Sequence, residues 1–89
     1  MFYYTYVLKC ELNKKVNFYI GYTDDLRARF NRHKAKKVLA TKKYDNVSLI
    51  YFEACGCKQD AILREKSLKT GFGRAFLKNR LKYYLLLRD

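Results

Sequence analysis

The sequence is poor in several things, and each shortage narrows the reading. There is no proline, no tryptophan and one histidine, and only eight acidic residues stand against twenty basic ones. There is also no internal repeat, linker or low-complexity stretch, so one domain over residues 1–89 is expected. No apolar run approaches the ~20 residues of a membrane-spanning helix, so no membrane span is expected. The opening "MFYYTYVLKC" lacks a basic n-region and reads as a strand, not a signal peptide. Cys10, Cys55 and Cys57 are an odd number with two of them a single residue apart, a poor disulfide framework. They read as reduced thiols in a cytoplasmic protein. A zinc site from these three and His33 is a weak option, because "CGC" lacks the two-residue spacer of structural zinc knuckles.

What is present is apolar, aromatic and basic. A hydrophobic fraction of 49% argues against disorder. A chain this short buries roughly 60–65% of its unfolded surface, enough for one modest core. Aromatics reach 17%, with nine tyrosines, and the formal charge is +12. Such a surplus repels itself, and a polyanionic partner relieves it by releasing counterions. A solvated, solubilising surface is the plainer alternative. Tyrosines interleaved with the cations favour nucleic acid.

Periodicity supplies the elements. "FYYTYVL" is a strand with Tyr4, Tyr6 and Leu8 on one face and Tyr3, Thr5 and Val7 on the other. A polar turn around residues 13–15 leads to a second strand, "VNFYIGY", in a hairpin that Gly21 ends. Thr23 or Asp24 caps a helix over about residues 25–36. "KAKKVLATKKYDN" is a basic, exposed connection. The near-continuous apolar run of "VSLIYFEAC" suggests a covered, central strand. A second helix covers about residues 58–70 and stops at Gly71. A third covers about residues 74–87, with Leu77, Leu81, Tyr84 and Leu85 along one stripe. The expected class is α+β: a small, three-stranded, largely antiparallel sheet flanked by three helices in the order β-β-α-β-α-α.

Some positions break the pattern. Leu26 and Phe30 begin the first helix's apolar stripe, yet Arg29 and His33 sit on or beside it. Ala61, Glu65 and Leu68 share a stripe on the second helix, so a carboxylate falls where burial is costly unless it is paired, protonated or metal-bound. Tyr6 and Tyr19 sit in the first two strands. A buried Arg29–Glu65 ion pair with two core tyrosines is the bland account, but such pairs often fail to repay their desolvation. Together, on one side of one sheet, these residues supply proton-transfer groups, a cation for phosphate and an oxygen ligand for Mg²⁺.

"TYV" at residues 5–7 and "YIG" at residues 19–21 resemble the paired motif of the GIY-YIG endonuclease superfamily. "YTDDLRARFNRH" is similar to its extended helix motif, with Arg29 ten residues after Tyr19, and "AILREKSLK" to its metal-binding helix. The resemblance covers residues 4–69 and is nearest to the compact bacterial members and the nuclease domain of the excision-repair incision subunit. Two departures stand out: Tyr4-Thr5 replaces Gly-Ile, and Asn79, at about the distance of a family asparagine, lies in a basic helix segment.

The resemblance implies a DNA endonuclease, hydrolysing phosphodiester bonds in DNA repair or processing on structured or damaged DNA. It implies one Mg²⁺ or Mn²⁺ held by Glu65, the scissile phosphate on Arg29, and Tyr6, Tyr19 or His33 activating water. Lys34, Lys36, Lys37, Lys42 and Lys43 form one candidate phosphate-binding cluster; Arg74 and Lys78 belong to another. Two rivals remain at this stage: a nucleic-acid-binding module with an inactive site, and a small interaction protein. A protein partner and the oligomeric state are left open.

Overall fold

A computed structural model describes residues 1–87 of the chain. The aromatic and β-branched opening forms strand β1 (Tyr3–Leu12), which returns as β2 (Lys15–Thr23). Asn13 and Lys14 make the turn with φ of 53° and 67°. Two successive positive φ values give the two-residue turn whose twist matches that of paired strands. Gly21 does not end β2, because pairing with β1 continues to Thr23. Its φ is ordinary, and what it provides is space. A Cβ there would overlap the ring and hydroxyl of Tyr6, its partner across the pair.

Helix α1 (Leu26–Lys34) is capped by Asp25, not by Thr23 or Asp24: the Ala28 N–H donates to its carboxylate at 3.1 Å. Thr23 braces the cap instead, its hydroxyl accepting the Asp25 N–H at 3.1 Å. The helix stops short of its expected end because Lys36 adopts a left-handed φ of 60°. The Lys36 N–H then reaches the His33 carbonyl and the Lys37 N–H the Arg32 carbonyl, both at 3.0 Å. That pair of bonds satisfies carbonyls a helix end otherwise leaves unpaired. The connection that follows is not simply exposed, since Val38 and Thr41 are buried.

Strand β3 (Asn46–Cys55) pairs antiparallel with β1, giving the order β2-β1-β3. β3 is therefore an edge, not the centre. Its apolar run has another cause. Pairing slips between Val7, opposite Tyr51, and Leu8, opposite Leu49, leaving Ile50 as the extra residue of a bulge. The bulge shifts the alternation by one, so Val47 and Leu49 pack on one face while Ile50 and Tyr51 pack on the other.

Helix α2 (Lys58–Leu68) leads into α3 (Gly71–Arg80) and a single-turn α4 (Lys82–Leu85). Gly71 opens α3 instead of stopping α2. Thr70 caps α3, its hydroxyl accepting the Gly73 N–H at 3.2 Å. A Cβ on Gly73 would collide with α2 backbone at Ser67 and Leu68, so the two helices meet backbone to backbone. The single helix expected over residues 74–87 breaks at Leu81, which packs against the core.

The result is the α+β class and element order that the sequence predicts, with one added turn and a wholly antiparallel sheet. Successive β1 residues point to opposite faces. Tyr6, Leu8 and Cys10 pack with Leu26 and Phe30 of α1, whereas Val7 packs with Ile20, Leu68 and Leu77 on the side of α2 and α3. Among the described residues no helix is long and apolar enough to cross a membrane.

Candidate active site

The alternation of β1 determines which groups can meet. Tyr6 faces α1, and Tyr19, opposite Leu8, shares that face. Both Tyr6 and His33 are only 1% exposed. The Tyr6 hydroxyl oxygen lies 2.8 Å from His33 Nε2 and accepts the Arg29 Nε–H at 3.4 Å. The Tyr19 ring packs edge-on against His33 at 5.2 Å between centroids, and tilted against Tyr6 at 6.2 Å. On the far side of the imidazole, Nδ1 lies 2.7 Å from the Thr41 hydroxyl. The order inward is Arg29 and Tyr19, half-buried, then Tyr6, His33 and Thr41, buried.

Burial controls the proton affinities. It pushes the Tyr6 phenol up to about 12, a rise only partly opposed by the Arg29 hydrogen bond and charge. Burial, with the adjacent Arg29 charge, pulls His33 down to about 4. The Tyr6 bond in turn raises the already high Arg29 value against the effect of burial. At neutral pH the group therefore holds a neutral phenol, a neutral imidazole and a guanidinium. Among the described residues no carboxylate pairs with that guanidinium.

Glu65 does not join this cluster by any hydrogen bond or ion pair. It arises from α2, whose Ala61 carbonyl accepts the hydroxyl proton of Thr5 at 2.8 Å, and Thr5 points to the face opposite Tyr6. The five residues thus do not all stand on one side of the sheet. The Glu65 partner is Lys69, at 3.2 Å one helical turn on, and its side chain is 20% exposed. The Arg29–Glu65 ion pair is not formed.

A partly buried ion pair forms elsewhere, between Arg64 and Glu53. Arg64 binds Glu53 through two N–H···O bonds of 2.9 Å, Tyr51 donates to the same carboxylate at 2.8 Å, and Arg64 stacks over Phe76. Burial alone would raise the Glu53 carboxyl, but the Arg64 and Tyr51 hydrogen bonds outweigh it and hold it low.

Lys34, Lys36, Lys37, Lys42 and Lys43 are all exposed, at the end of α1 and in the connection to β3. Lys36 is committed to the Tyr44 carbonyl at 2.6 Å. Arg74 and Lys78 stand on α3, across the sheet, where they border an apolar groove with Ile20 and Leu77. Asn79 is exposed on α3. The three cysteines are free thiols, and among the described residues no three His, Cys, Asp or Glu side chains converge on a metal position. The zinc option fails at His33, since Tyr6 and Thr41 engage both of its nitrogens. Thr41 itself was not singled out from sequence: threonine in a lysine-rich connection carries no signal, and its contact with His33 spans eight residues.

A UPF0213 protein of Staphylococcus haemolyticus is 38% identical over 68 residues, which are 75% of this chain and 79% of that protein. A UPF0213 protein of Streptococcus pneumoniae serotype 4 is 37% identical over 67 residues, 74% of this chain but only 65% of its own length. No solved structure matches the chain significantly. The GIY-YIG catalytic domain model matches residues 2–85, nearly the whole sequence, and the chain belongs to that family of nuclease domains.

Proposed function

We propose that residues 1–89 form one nuclease domain that hydrolyses phosphodiester bonds in DNA with the help of one Mg²⁺ or Mn²⁺. The observation that carries this reading is Arg29: a half-buried guanidinium with no carboxylate partner among the described residues, bonded to the Tyr6 hydroxyl, which in turn meets His33. An unneutralised guanidinium beside a buried proton relay is suited to an anionic substrate.

Glu65 fits a water-rich, one-carboxylate Mg²⁺ site and does not fit an all-protein cage. Its present partner is a surface i,i+4 lysine, a contact worth only about 0.3–0.5 kcal/mol and easily given up. Glu65 would hold the ion, which would supply charge stabilisation for the phosphate and the leaving oxygen. Two metals would need further ligands near Glu65.

The remaining steps belong to the chain. Arg29 binds and orients the phosphate with the face of its fork not used on Tyr6. Tyr6 is a poor base as a phenolate, with its value near 12. It works instead as a relay: it takes a proton from the attacking water while passing its own to His33 Nε2, and never carries full charge. His33 does not touch the water directly, because Tyr6 and Thr41 engage both of its nitrogens, whereas the Tyr6 oxygen, with Arg29 and His33 as partners, keeps one lone pair for the water. The phosphate offsets the Arg29 charge that depresses His33, so substrate binding favours the transfer. Tyr19, more exposed, positions the water or the phosphate. The lysines at residues 34–43 contact flanking phosphates, and Arg74 and Lys78 contact DNA that extends past the sheet. The substrate class is structured or damaged DNA in repair or processing, with the protein in the cytoplasm.

The test is a cleavage assay on linear, nicked, branched and single-stranded DNA with Mg²⁺ or Mn²⁺. Glu65→Ala and Arg29→Ala abolish cleavage while circular dichroism shows them folded. Unchanged activity in rigorously purified Glu65→Ala overturns the assignment. DNA binding without cleavage by the wild type assigns the inactive binding module instead.

A further inference from the structure

The connection between α1 and β3 is anchored rather than loose. Thr41 is 1% exposed, and its backbone is tied on both sides: its N–H donates to the Val38 carbonyl and its carbonyl accepts the Tyr44 N–H, each at 3.1 Å. This fixes the Thr41 hydroxyl 2.7 Å from His33 Nδ1, while Nε2 stands 2.8 Å from the Tyr6 oxygen. Which nitrogen of a neutral imidazole carries the proton is decided by the partner of the other.

We propose that Thr41 is a positioning residue for His33: its hydroxyl accepts the Nδ1–H, so that Nε2 turns a free lone pair to the Tyr6 hydroxyl. Hydrogen positions follow from the network. The Tyr6 oxygen already accepts the Arg29 Nε–H. With Nε2 unprotonated, the Tyr6 proton has an acceptor directly in line. In the opposite tautomer two N–H groups converge on the Tyr6 oxygen, and the Tyr6 proton must turn away from its nearest neighbour. The consequence for turnover rests on the nuclease reading; the tautomer itself does not. A histidine held in the wrong tautomer keeps its place and loses its function.

His33 is the only histidine in the chain, so its ring signals are unambiguous. Long-range ¹H–¹⁵N spectra of the full, ¹⁵N-labelled protein are expected to show a protonated Nδ1 in the wild type. Thr41→Val, close to isosteric, shifts the ring to the Nε2–H form and lowers kcat by about 10–100-fold, as loss of an orienting hydrogen bond does at metal-ligand histidines, with KM little changed. Thr41→Ser restores the wild-type tautomer and turnover. An Nε2–H wild type overturns the proposal without any variant having to fold. So does Thr41→Val with an altered tautomer and undiminished kcat. A wild type with protonated Nδ1 that cleaves no DNA sinks the nuclease reading and leaves the tautomer assignment supported.

Discussion

Lowering the pH from 7 to 5 should destabilise this protein through His33 alone. The folded ring is held near 4, against 6.5 in an unfolded chain, first by burial and then by the Arg29 charge. Its hydrogen-bond partners bring no compensating anion: Tyr6 is a phenol raised to about 12 by burial, and Thr41 is an alcohol. As pH falls through 6.5 the unfolded state takes up a proton and the folded state does not, so stability falls with pH until the folded ring itself titrates near 4. Between 6.5 and 5 the slope limit of about 1.36 kcal/mol per pH unit sets a loss of about 2 kcal/mol, reduced by solvent screening to about 1.5 kcal/mol. An ordinary carboxylate titrates near ~4, below this window, which isolates the histidine. Urea denaturation at pH 7, 6 and 5 measures the loss; with a slope of ~1–1.5 kcal/mol/M for a domain of this size, the midpoint drops by about 1 M. His33→Gln starts less stable but loses the pH dependence across the window. Equal slopes for wild type and His33→Gln, or a ring that titrates near 6.5 by NMR, would refute the reasoning.

Gly21→Ala forces a methyl into the Tyr6 ring and should cost about 1–3 kcal/mol by overpacking, together with the hydroxyl's alignment on His33; urea midpoints and the His33 NMR signals report the two effects. Lys14→Gly relieves a left-handed φ of 67° at the hairpin turn and should add about 0.5–1 kcal/mol, visible as a thermal midpoint raised by a few degrees. Glu53→Gln removes one side of the two-bond contact with Arg64. Both side chains are more than a quarter exposed, so the expected cost is about 1–2 kcal/mol, below that of a fully buried pair. A Glu53→Gln protein as stable as wild type would show that the Phe76 stack, rather than the carboxylate, holds Arg64. DNA binding should weaken steeply with salt, with a log–log slope of roughly −0.9 per phosphate contacted. Dropping two lysines from residues 34–43 should flatten that slope by about two.

Much of the candidate site was legible because its spacing is local. Leu26, Arg29, Phe30 and His33 lie within about two helical turns, so helical period alone places them on neighbouring faces. Tyr6 and Tyr19 follow from a hairpin register that a two-residue turn imposes. Where the reading failed, the deciding contact was non-local. The long apolar run of β3 looked like a central strand, but a bulge at Ile50 feeds both faces of an edge. Gly71 looked like a helix stop, yet Thr70 supplies a cap and α3 begins there. Stripe position offers Arg29 and Glu65 as a buried pair, the bland account, but α1 and α2 pack on opposite faces, Glu65 pairs with Lys69, and Arg64 binds Glu53.

The sequence by itself determined the element order, the α+β class, the basic surplus and the family, because alternation, caps and motif spacing are properties of neighbouring residues. Only the tertiary structure decided that Tyr6, Arg29, His33 and Thr41 form one hydrogen-bonded line from the surface inward, and that Glu65 pairs with Lys69 instead of with Arg29. The physical reason is that a hydrogen-bond chain needs atoms within about 3 Å. Whether residues dozens of positions apart meet at that distance depends on which face of β1 each helix covers, something no local pattern encodes.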